Sequence, residues 1–350
     1  MPHPILINRT PFAYEALLLT DEEGVAQFAP CVQATFALRT DARLALLDEQ
    51  PRVRLAGQWR GDPASSSMVL EPQIAFTKPA TDIVLLGHAH APTPGATEGT
   101  VGIRVGPVQK VARVFGDRRI VSRLGRTSVT PTAPFERIPI EHERAFGGWD
   151  RHDPDSQMHR REARNPVGVG FRVTPLGADE QALPNFEDPQ QLFRSWGDTP
   201  PPAGFGFIAP DWQPRLAFAG TYDTTWARAR KPLLPHDFDR RFFNAAAPGL
   251  IAPGHLRGDE PVAVIGATPR GRVAFALPGL PAPLCLMELR GRKRVPLQTV
   301  LDTLVVDMDA LQVTLTWRAS ACVRNGAHDV LSVELHADAD AAAQIAVAVG

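Results

Sequence analysis

Short runs of alternating apolar and polar residues dominate the first third of the chain. Val101, Ile103 and Val105 alternate with two glycines and an arginine, and residues 28–38 are rich in strand-forming side chains. Turn-forming residues separate these runs, and no amphipathic stretch of about 10–15 residues lies between them. This spacing predicts strands that pair antiparallel rather than βαβ units.

The last third of the chain repeats the pattern as hairpins. Residues 262–267 and 272–277 flank the turn sequence TPRG, and residues 300–307 and 311–318 flank MDA. Within 311–318 every second residue is Leu, Val, Leu or Trp, and the residues between them are Gln, Thr, Thr and Arg. This period of two predicts a half-buried strand.

The middle of the chain, residues 129–260, follows neither a helical nor a strand period. It combines Pro, Gly, Asn and Asp with aromatic residues, and it holds four of the six tryptophans. Because a disordered linker is poor in aromatic residues, we expect an ordered, irregular segment that packs on the strands, with short helices at 189–196 and 224–230. The predicted fold is mainly β: antiparallel, sandwich-like sheets with a long irregular Pro/Gly/aromatic-rich central segment and few short helices.

The same changes in pattern divide the chain into four predicted parts. Residues 1–128 form an N-terminal antiparallel β domain, and residues 129–260 form the irregular segment packed on the sheets. Residues 261–325 form C-terminal β-hairpins, and residues 326–350 form an Ala/Asp-rich tail.

Composition narrows the possible partners and location. The 34 prolines and 28 glycines among 350 residues argue against an all-α bundle. The net charge of −1 argues against nucleic acid as a partner, because phosphate binding needs clustered Lys and Arg. We expect no membrane insertion or export, since the sequence has neither an apolar run of about 18 residues nor a signal-peptide pattern. Three widely spaced cysteines predict no disulfide framework and a cytoplasmic protein.

His88 and His90 form the most enzyme-like pattern in the sequence. Two histidines at i and i+2 on a strand point the same way, and such a pair after a buried strand can bind a metal ion. One alternative is therefore a metal-dependent hydrolase that uses these two residues. The competing interpretation places both histidines at a strand end before a turn, with no metal. No catalytic set is complete in the sequence, so we predict neither an enzyme nor a cofactor.

Aromatic and arginine side chains in the central segment suggest a binding surface, because Trp and Arg are enriched at protein interfaces. The same tryptophans could instead form the core of a segment that lacks regular backbone hydrogen bonds. A carbohydrate-binding module is a further alternative, since aromatic rings beside Asn and Asp can stack on sugars. The candidate protein-binding residues are Arg144, Trp149, Arg194, Trp196, Trp212 and Trp226.

Several longer strings follow one another in a fixed order over about residues 5–320. They are NRTPF at 8–12, KPATD at 78–82, VFGDR at 114–118, ERAFGG at 143–148, NPVGVG at 165–170, LPNFEDP at 183–189, PAGFGFIAPDWQPR at 202–215, LLPHDFDRRFFNAAAP at 233–248 and LDTLVVDMD at 301–309. In this order they resemble a bacterial family of unknown function, domain-of-unknown-function 2169, encoded beside type VI secretion spike and toxin genes.

This resemblance implies an adaptor or chaperone that holds a toxin effector and helps to load it onto a VgrG-type or PAAR-type spike protein. It carries over no catalytic residue. Two modes of binding stay open: an edge strand could accept a strand of the partner, or a groove with aromatic anchors could hold an apolar helix. The sequence leaves the oligomeric state open.

Overall fold

The computed structural model describes residues 4–123, 126–175, 180–291, 293–323 and 329–337. Within these ranges the protein is mainly β, with one short α-helix, α1 (Thr224–Ala229), and four 3₁₀ helices. The first strands are β1 (Ile5–Asn8), β2 (Ala13–Thr20), β3 (Ala26–Leu38), β4 (Leu44–Leu46), β5 (Gln58–Trp59), β6 (Met68–Leu70), β7 (Asp82–Leu86), β8 (His88–His90), β9 (Glu98–Val105), β10 (Val108–Phe115), β11 (Arg119–Arg123) and β12 (Arg126–Val129).

The central segment contains only very short strands, whereas the C-terminal strands are longer. The central strands are β13 (Arg137–Pro139), β14 (Phe146–Gly147), β15 (Trp149–Asp150), β16 (Arg160–Arg161), β17 (Val169–Gly170), β18 (Glu180–Ala182) and β19 (Phe186–Glu187). The C-terminal strands are β20 (Pro261–Ile265), β21 (Arg272–Ala276), β22 (Leu284–Leu289), β23 (Lys293–Gln298), β24 (Val300–Asp307), β25 (Gln312–Arg318), β26 (Ala321–Cys322) and β27 (Val330–His336). The 3₁₀ helices are His142–Arg144, Ser156–Met158, Arg215–Phe218 and Arg240–Phe243.

The largest sheet, called the main sheet below, has the strand order β2-β3-β25-β24-β7, and β4 and β26 also pair with β3. Its long neighbours are antiparallel, except that β7 runs parallel to β24. A five-stranded sheet has the order β19-β10-β9-β20-β21, and a four-stranded sheet has the order β1-β27-β22-β23. Each of these sheets combines strands from the N-terminal and C-terminal parts of the chain.

The predicted fold class, mainly β with antiparallel sheets and few short helices, is confirmed. The two predicted C-terminal hairpins are present as β20–β21 and β24–β25. One apolar core joins the sheets, and the main sheet contributes the face that carries Val32, Leu304 and Leu315. Of the predicted Ala/Asp-rich tail at 326–350, residues 326–328 and 338–350 lie outside the described residues.

The opposite face of the main sheet is polar but covered over part of its length, so the prediction of a half-buried strand at 311–318 is wrong for the second half of that strand. Thr316 and Arg318 are only 2% and 1% exposed. The covering chain lies between β4 and β7. It is attached by hydrogen bonds from Gln33 Nε2 to the carbonyl of Pro51 and from the Arg318 guanidinium to Gln73. A polar strand face therefore does not identify the solvent side here.

The irregular central segment covers the β7 edge of the main sheet. The N–H of Ile83 donates to the carbonyl of Leu250 at 2.9 Å, and the N–H of Leu85 donates to the carbonyl of Phe205 at 3.1 Å. These bonds satisfy backbone groups that an edge strand would otherwise leave open.

Only one of the two predicted helices in this segment is present. The helix expected at 224–230 is confirmed as α1, and Asp223 caps its first turn by accepting the N–H of Trp226. The helix expected at 189–196 is wrong, because that stretch forms turns. There the N–H groups of Arg194 and Ser195 donate to the Asp198 carboxylate, at 2.9 and 2.7 Å, instead of to helical carbonyls. Among the described helices none is long and apolar enough to cross a membrane.

Candidate protein-binding edge

Strand β2 is an outer strand of the main sheet and carries the sequence AYEALLLT. It pairs with β3 along all eight residues, and the described chain places no further strand beyond it. Leu18 is 47% exposed, and the other side chains of β2 are half-buried apart from the exposed Thr20 at its end. Long apolar edges of this kind are templates for pairing with another strand.

The hydrogen bonding shows which backbone groups of β2 face outward. The N–H of Ala16 donates to the neighbouring Glu15 carboxylate at 3.3 Å instead of to β3. Along a strand of an antiparallel pair, every second residue directs its backbone N–H and C=O groups away from the partner strand. The backbone groups of Tyr14 and Leu18 therefore face outward as well. Opposite Ala16 stands Pro30, which has no N–H and is tolerated where no ladder bond to β2 is needed.

The central segment fixes the turn that joins β2 to β3. The Arg240 guanidinium binds the Glu22 carboxylate through two hydrogen bonds of 2.7 and 3.0 Å, and these bonds lower the pKa of Glu22. The Arg230 guanidinium donates to the carbonyl of Glu22 and, at 3.2 Å, to the carboxylate of Glu23. One end of the β2 edge is therefore held in place by charge-assisted hydrogen bonds.

Trp226, one of the predicted binding residues, lies beside this turn. It is on α1, half-buried, and its indole N–H donates to the carbonyl of Leu233 at 2.8 Å. Leu233 in turn packs against Gly24 in the β2–β3 turn, 3.1 Å from the position that a Cβ atom there would take. Tyr222, 53% exposed, contacts the Trp226 ring edge-on with centroids 4.7 Å apart. The structure thus connects an aromatic pair, through Leu233, to the turn at one end of the β2 edge.

Arg144 lies apart from that edge, in a polar cleft of about 480 Å³. Its guanidinium is 3.4 Å from Asn185 Oδ1, 3.6 Å from Glu141 and 3.8 Å from Asp117. The side chain is partly exposed, but its charge is already met by carboxylates of the protein itself. A role for Arg144 in binding a partner stays a prediction.

The remaining predicted residues are scattered. Trp212 is buried, with His142 edge-on at 5.3 Å, and belongs to the core rather than to a surface. Trp196 is half-buried against a small apolar cluster, and Arg194 beside it is exposed. Trp149 is 43% exposed and is flanked by two arginine guanidinium groups, at 4.9 and 5.8 Å from its ring. The structure therefore brings none of these four into contact with Trp226.

His88 and His90 lie on β8 and flank the buried Ala89, as expected for side chains on one face. His88 Nδ1 is 2.6 Å from Asp309 Oδ2, which joins β8 to the β24–β25 turn. Burial and the neighbouring His88 lower the pKa of His90. No group of three or more His, Cys, Asp or Glu side chains suited to a metal ion occurs among the described residues. Metal-dependent hydrolysis gains no support from this geometry.

Sequence reasoning missed a buried charge network on the covered face of the main sheet. Lys78 Nζ donates to Asp82 Oδ2 at 2.7 Å, to the hydroxyl of Thr303 at 3.0 Å and to the Glu71 carboxylate. Burial acts to lower the pKa of Lys78, but Asp82 and Glu71 outweigh it and raise that pKa. The lysine is therefore an ammonium ion and not a nucleophile.

The same network holds the central segment on the sheet. Asp82 Oδ1 accepts a hydrogen bond from the Asn244 side chain at 2.9 Å, and Asp82 Oδ2 accepts the N–H of Ala245 at 2.8 Å. The Arg318 guanidinium donates to the Asp302 carboxylate. The signal available in the sequence was the placement of Asp82 and Asp302 at the starts of apolar strands, where an exposed charge is not expected.

Comparison with known families gives one match. The model for the family described as "Uncharacterized protein conserved in bacteria (DUF2169)" matches residues 23–318. Searches of the curated proteins and of the solved structures found no match. The matched range includes β2–β3 turn residues, the central segment and all residues of the buried charge network.

Proposed function

We propose that this chain, which belongs to the bacterial family DUF2169, is a non-catalytic adaptor that acts in the cytoplasm. It binds a toxin effector and promotes the loading of that effector onto a type VI secretion spike of the VgrG or PAAR kind. The observation that carries the binding step is the outer edge of β2. The choice of effector and spike as partners rests on the sequence resemblance.

Strand addition supplies the physical mechanism of binding. An extended segment of the effector pairs with the outward N–H and C=O groups of β2, so affinity comes from main-chain hydrogen bonds. Leu18 and the neighbouring apolar side chains of β2 select a partner with alternating apolar residues. The Arg240–Glu22 pair keeps the edge in a fixed position, which lowers the entropy lost on binding.

Trp226 and Tyr222 give this edge a side-chain anchor. They lie beside the β2–β3 turn, so a strand paired with β2 would pass close to the aromatic pair at that end. Aromatic side chains supply large contact areas at low entropic cost. This arrangement favours the edge-strand mode over the groove mode.

Co-purification tests the proposal. The tagged protein is expressed with the toxin and spike proteins encoded beside it, and the bound proteins are quantified. The wild-type protein is expected to recover the toxin in near-stoichiometric amounts. Leu18→Lys is expected to reduce that recovery at least tenfold, because a lysine on an edge strand opposes further pairing.

Leu331→Lys is the matched control. Leu331 is 41% exposed, similar to Leu18, but lies on β27, which has neighbours on both sides in its sheet. Equal toxin recovery by the two lysine variants would exclude β2 as the binding surface. Failure of the wild-type protein to recover toxin or spike protein would remove the adaptor role itself.

A further inference from the structure

The covered polar face of the main sheet encloses a cavity of about 280 Å³. Side chains of β3, β24 and β25 form its floor, and residues 51–54 and 69–73 form its walls. The cavity is unusual in its lining, because the buried side chains around it are largely polar. The polar ones that are more than nine-tenths buried are Gln33, Thr35, Glu71, Gln73 and Thr316, and the apolar ones are Leu86 and Val305.

In each of the two buried glutamines, Gln33 and Gln73, one amide atom is hydrogen-bonded to the protein and the other is available to a ligand. Gln33 Nε2 donates to the carbonyl of Pro51 at 3.3 Å, and Gln73 Oε1 accepts from the Arg318 guanidinium. These partners settle the orientation of each amide. Gln33 Oε1 is left as an acceptor and Gln73 Nε2 as a donor, neither with a hydrogen bond to another described residue.

Two further polar groups line the same cavity. The hydroxyl of Thr316 forms no hydrogen bond within the described chain, although this residue is 2% exposed. One carboxylate oxygen of Glu71 binds Lys78, and the other has no hydrogen-bond partner among the described residues. These polar atoms are accessible from the cavity rather than sealed off, so they can hydrogen-bond to water or to a ligand with several hydroxyl groups.

Behind Glu71, the one charged residue of the buried lining, the charges of the protein interior are balanced. Adding a net charge to a buried, balanced set carries a desolvation cost that no partner offsets. The inner part of a ligand is therefore expected to be neutral. The balanced set consists of Lys78, Arg215 and Arg318 with Glu71, Asp82 and Asp302.

The mouth of the cavity, in contrast to the balanced interior, carries more positive than negative side chains. Arg52 and Arg54 line it, both are exposed, and neither forms an ion pair with another described residue. The carboxylate of Asp307, also in the lining, already accepts backbone N–H groups of the β24–β25 turn. Two arginines in this position favour an anionic group at the outer end of a ligand.

We propose that this cavity binds an acidic monosaccharide, either a sugar acid or a sugar phosphate. Its hydroxyl groups bind Gln33, Gln73, Thr316 and Glu71, and its anionic group lies at Arg52 and Arg54. The cavity of about 280 Å³ lies at the small end of the range of about 300–1,000 Å³ that is typical of small-molecule sites, which fits one sugar ring and not a polymer. This site is separate from the β2 edge and does not depend on aromatic stacking.

Saturation-transfer NMR with the full chain tests the proposal. The observed probes are glucuronate, galacturonate, glucose 6-phosphate and glucose, each at millimolar concentration. Inorganic phosphate, which has no carbon-bound hydrogen atoms to observe, is added as a competitor. At least one probe that combines hydroxyl groups with an anionic group is expected to bind. Glucose and inorganic phosphate, which each lack one of the two parts, are expected to bind at least tenfold more weakly. The sugar acids and glucose 6-phosphate distinguish the two sources of the anionic group.

Variants then locate the binding. Thr316→Val keeps the shape of the side chain but removes its hydroxyl, and the pair Arg52→Ala with Arg54→Ala removes the charge at the mouth. Each change is expected to weaken binding about tenfold with an unchanged melting temperature. Thr127→Val, on an exposed position of β12, and Arg43→Ala, in an exposed loop, are the controls.

Two results would overturn the proposal. One is that no acidic sugar binds to the wild-type protein. The other is that binding persists unchanged in both the Thr316 and the arginine variants. Because the measurement reports the sugar directly, loss of the effector-binding role would not affect its outcome.

Discussion

Lys78 and Asp82 form a salt bridge in the interior of the protein, with 2.7 Å between Nζ and Oδ2 and both side chains at most 1% exposed. They are the first and last residues of the string KPATD, which leads into β7. Asp82 also accepts hydrogen bonds from Asn244 and Ala245 in the central segment. One carboxylate therefore joins the main sheet to the irregular segment that covers its edge.

Replacing Lys78 with Met is expected to destabilise the protein strongly. The change leaves the carboxylates of Glu71 and Asp82 buried without their cation, which typically costs about 3–5 kcal/mol. Urea unfolding, monitored by tryptophan fluorescence, measures the change in the free energy of unfolding. Arg43→Met is the control, because the Arg43–Asp41 pair is exposed and such pairs contribute about 0–1 kcal/mol. A loss of less than about 1 kcal/mol for Lys78→Met would contradict the network.

Close backbone contacts in the central segment predict a second substitution that lowers the stability of the protein. A Cβ atom on Gly168 would lie 2.4 Å from Asn165 Nδ2 and 2.5 Å from the carbonyl oxygen of Ala145. Gly168→Ala is therefore expected to lower the free energy of unfolding by about 1–3 kcal/mol, as for overpacked cores. Gly254→Ala is the matched control, because nothing lies within 4 Å of its Cβ position. Equal melting temperatures for the two variants would contradict the packing described for this segment.

The outward orientation of the Ala16 N–H can be tested with proline. Ala16→Pro removes a donor that does not bind β3, so the melting temperature is expected to change little. Leu17→Pro removes a donor that faces β3 and leaves its acceptor unpaired, which is expected to cost about 1–3 kcal/mol. Circular dichroism melting curves of the two variants provide the measurement. Equal losses would show that β2 has a different orientation.

The architecture was predictable from the sequence where the period of two is strong and the turns carry Gly or Pro. The hairpins β20–β21 and β24–β25 follow this rule. The pairing of β3 with β25 could not be predicted, because more than 270 residues separate Thr35 from Thr314, which face each other in the sheet. Periodicity reports which side chains share a face, but not which strands are neighbours.

The sequence allows an open strand edge for binding but does not show that β2 provides it. The apolar run in β2 indicates a strand, but nothing in it says that one side stays open. That property depends on the order of strands in the main sheet. The burial of Thr316 was missed for a related reason: a polar residue on an alternating strand normally faces water, and here residues 51–54 and 69–73 cover it.

The three cysteines differ in burial, and this predicts their reactivity. Cys31 and Cys285 are buried, and burial raises the pKa of their thiols to about 11 and about 12. Cys322 is exposed. Because the thiolate is the reactive form, the native protein at pH 8 is expected to react with one equivalent of a thiol reagent, and the unfolded protein with three. Rapid labelling of more than one thiol in the native protein would contradict the burial of the other two.

The burial of His142 predicts that the protein loses stability in mild acid. Burial lowers the pKa of its imidazole to about 4, whereas the unfolded chain has the ordinary value of about 6.5. As the pH falls from 7 to 5, the unfolded state takes up a proton that the folded state does not. The free energy of unfolding that the neutral imidazole contributes above pH 6.5 is therefore lost as the pH falls, and the loss reaches about 2 kcal/mol at pH 5. Urea unfolding at several pH values measures this change.

The variant His142→Gln separates this effect from that of other titrating groups. It is expected to be less stable than the wild-type protein at pH 7, because the imidazole packs edge-on against Trp212 and fills the space beside Gly204. Between pH 7 and pH 5, however, its stability is expected to fall by about 2 kcal/mol less than that of the wild-type protein. Parallel curves for the two proteins over this range would mean that His142 takes up a proton as readily in the folded state as in the unfolded state, in conflict with its burial.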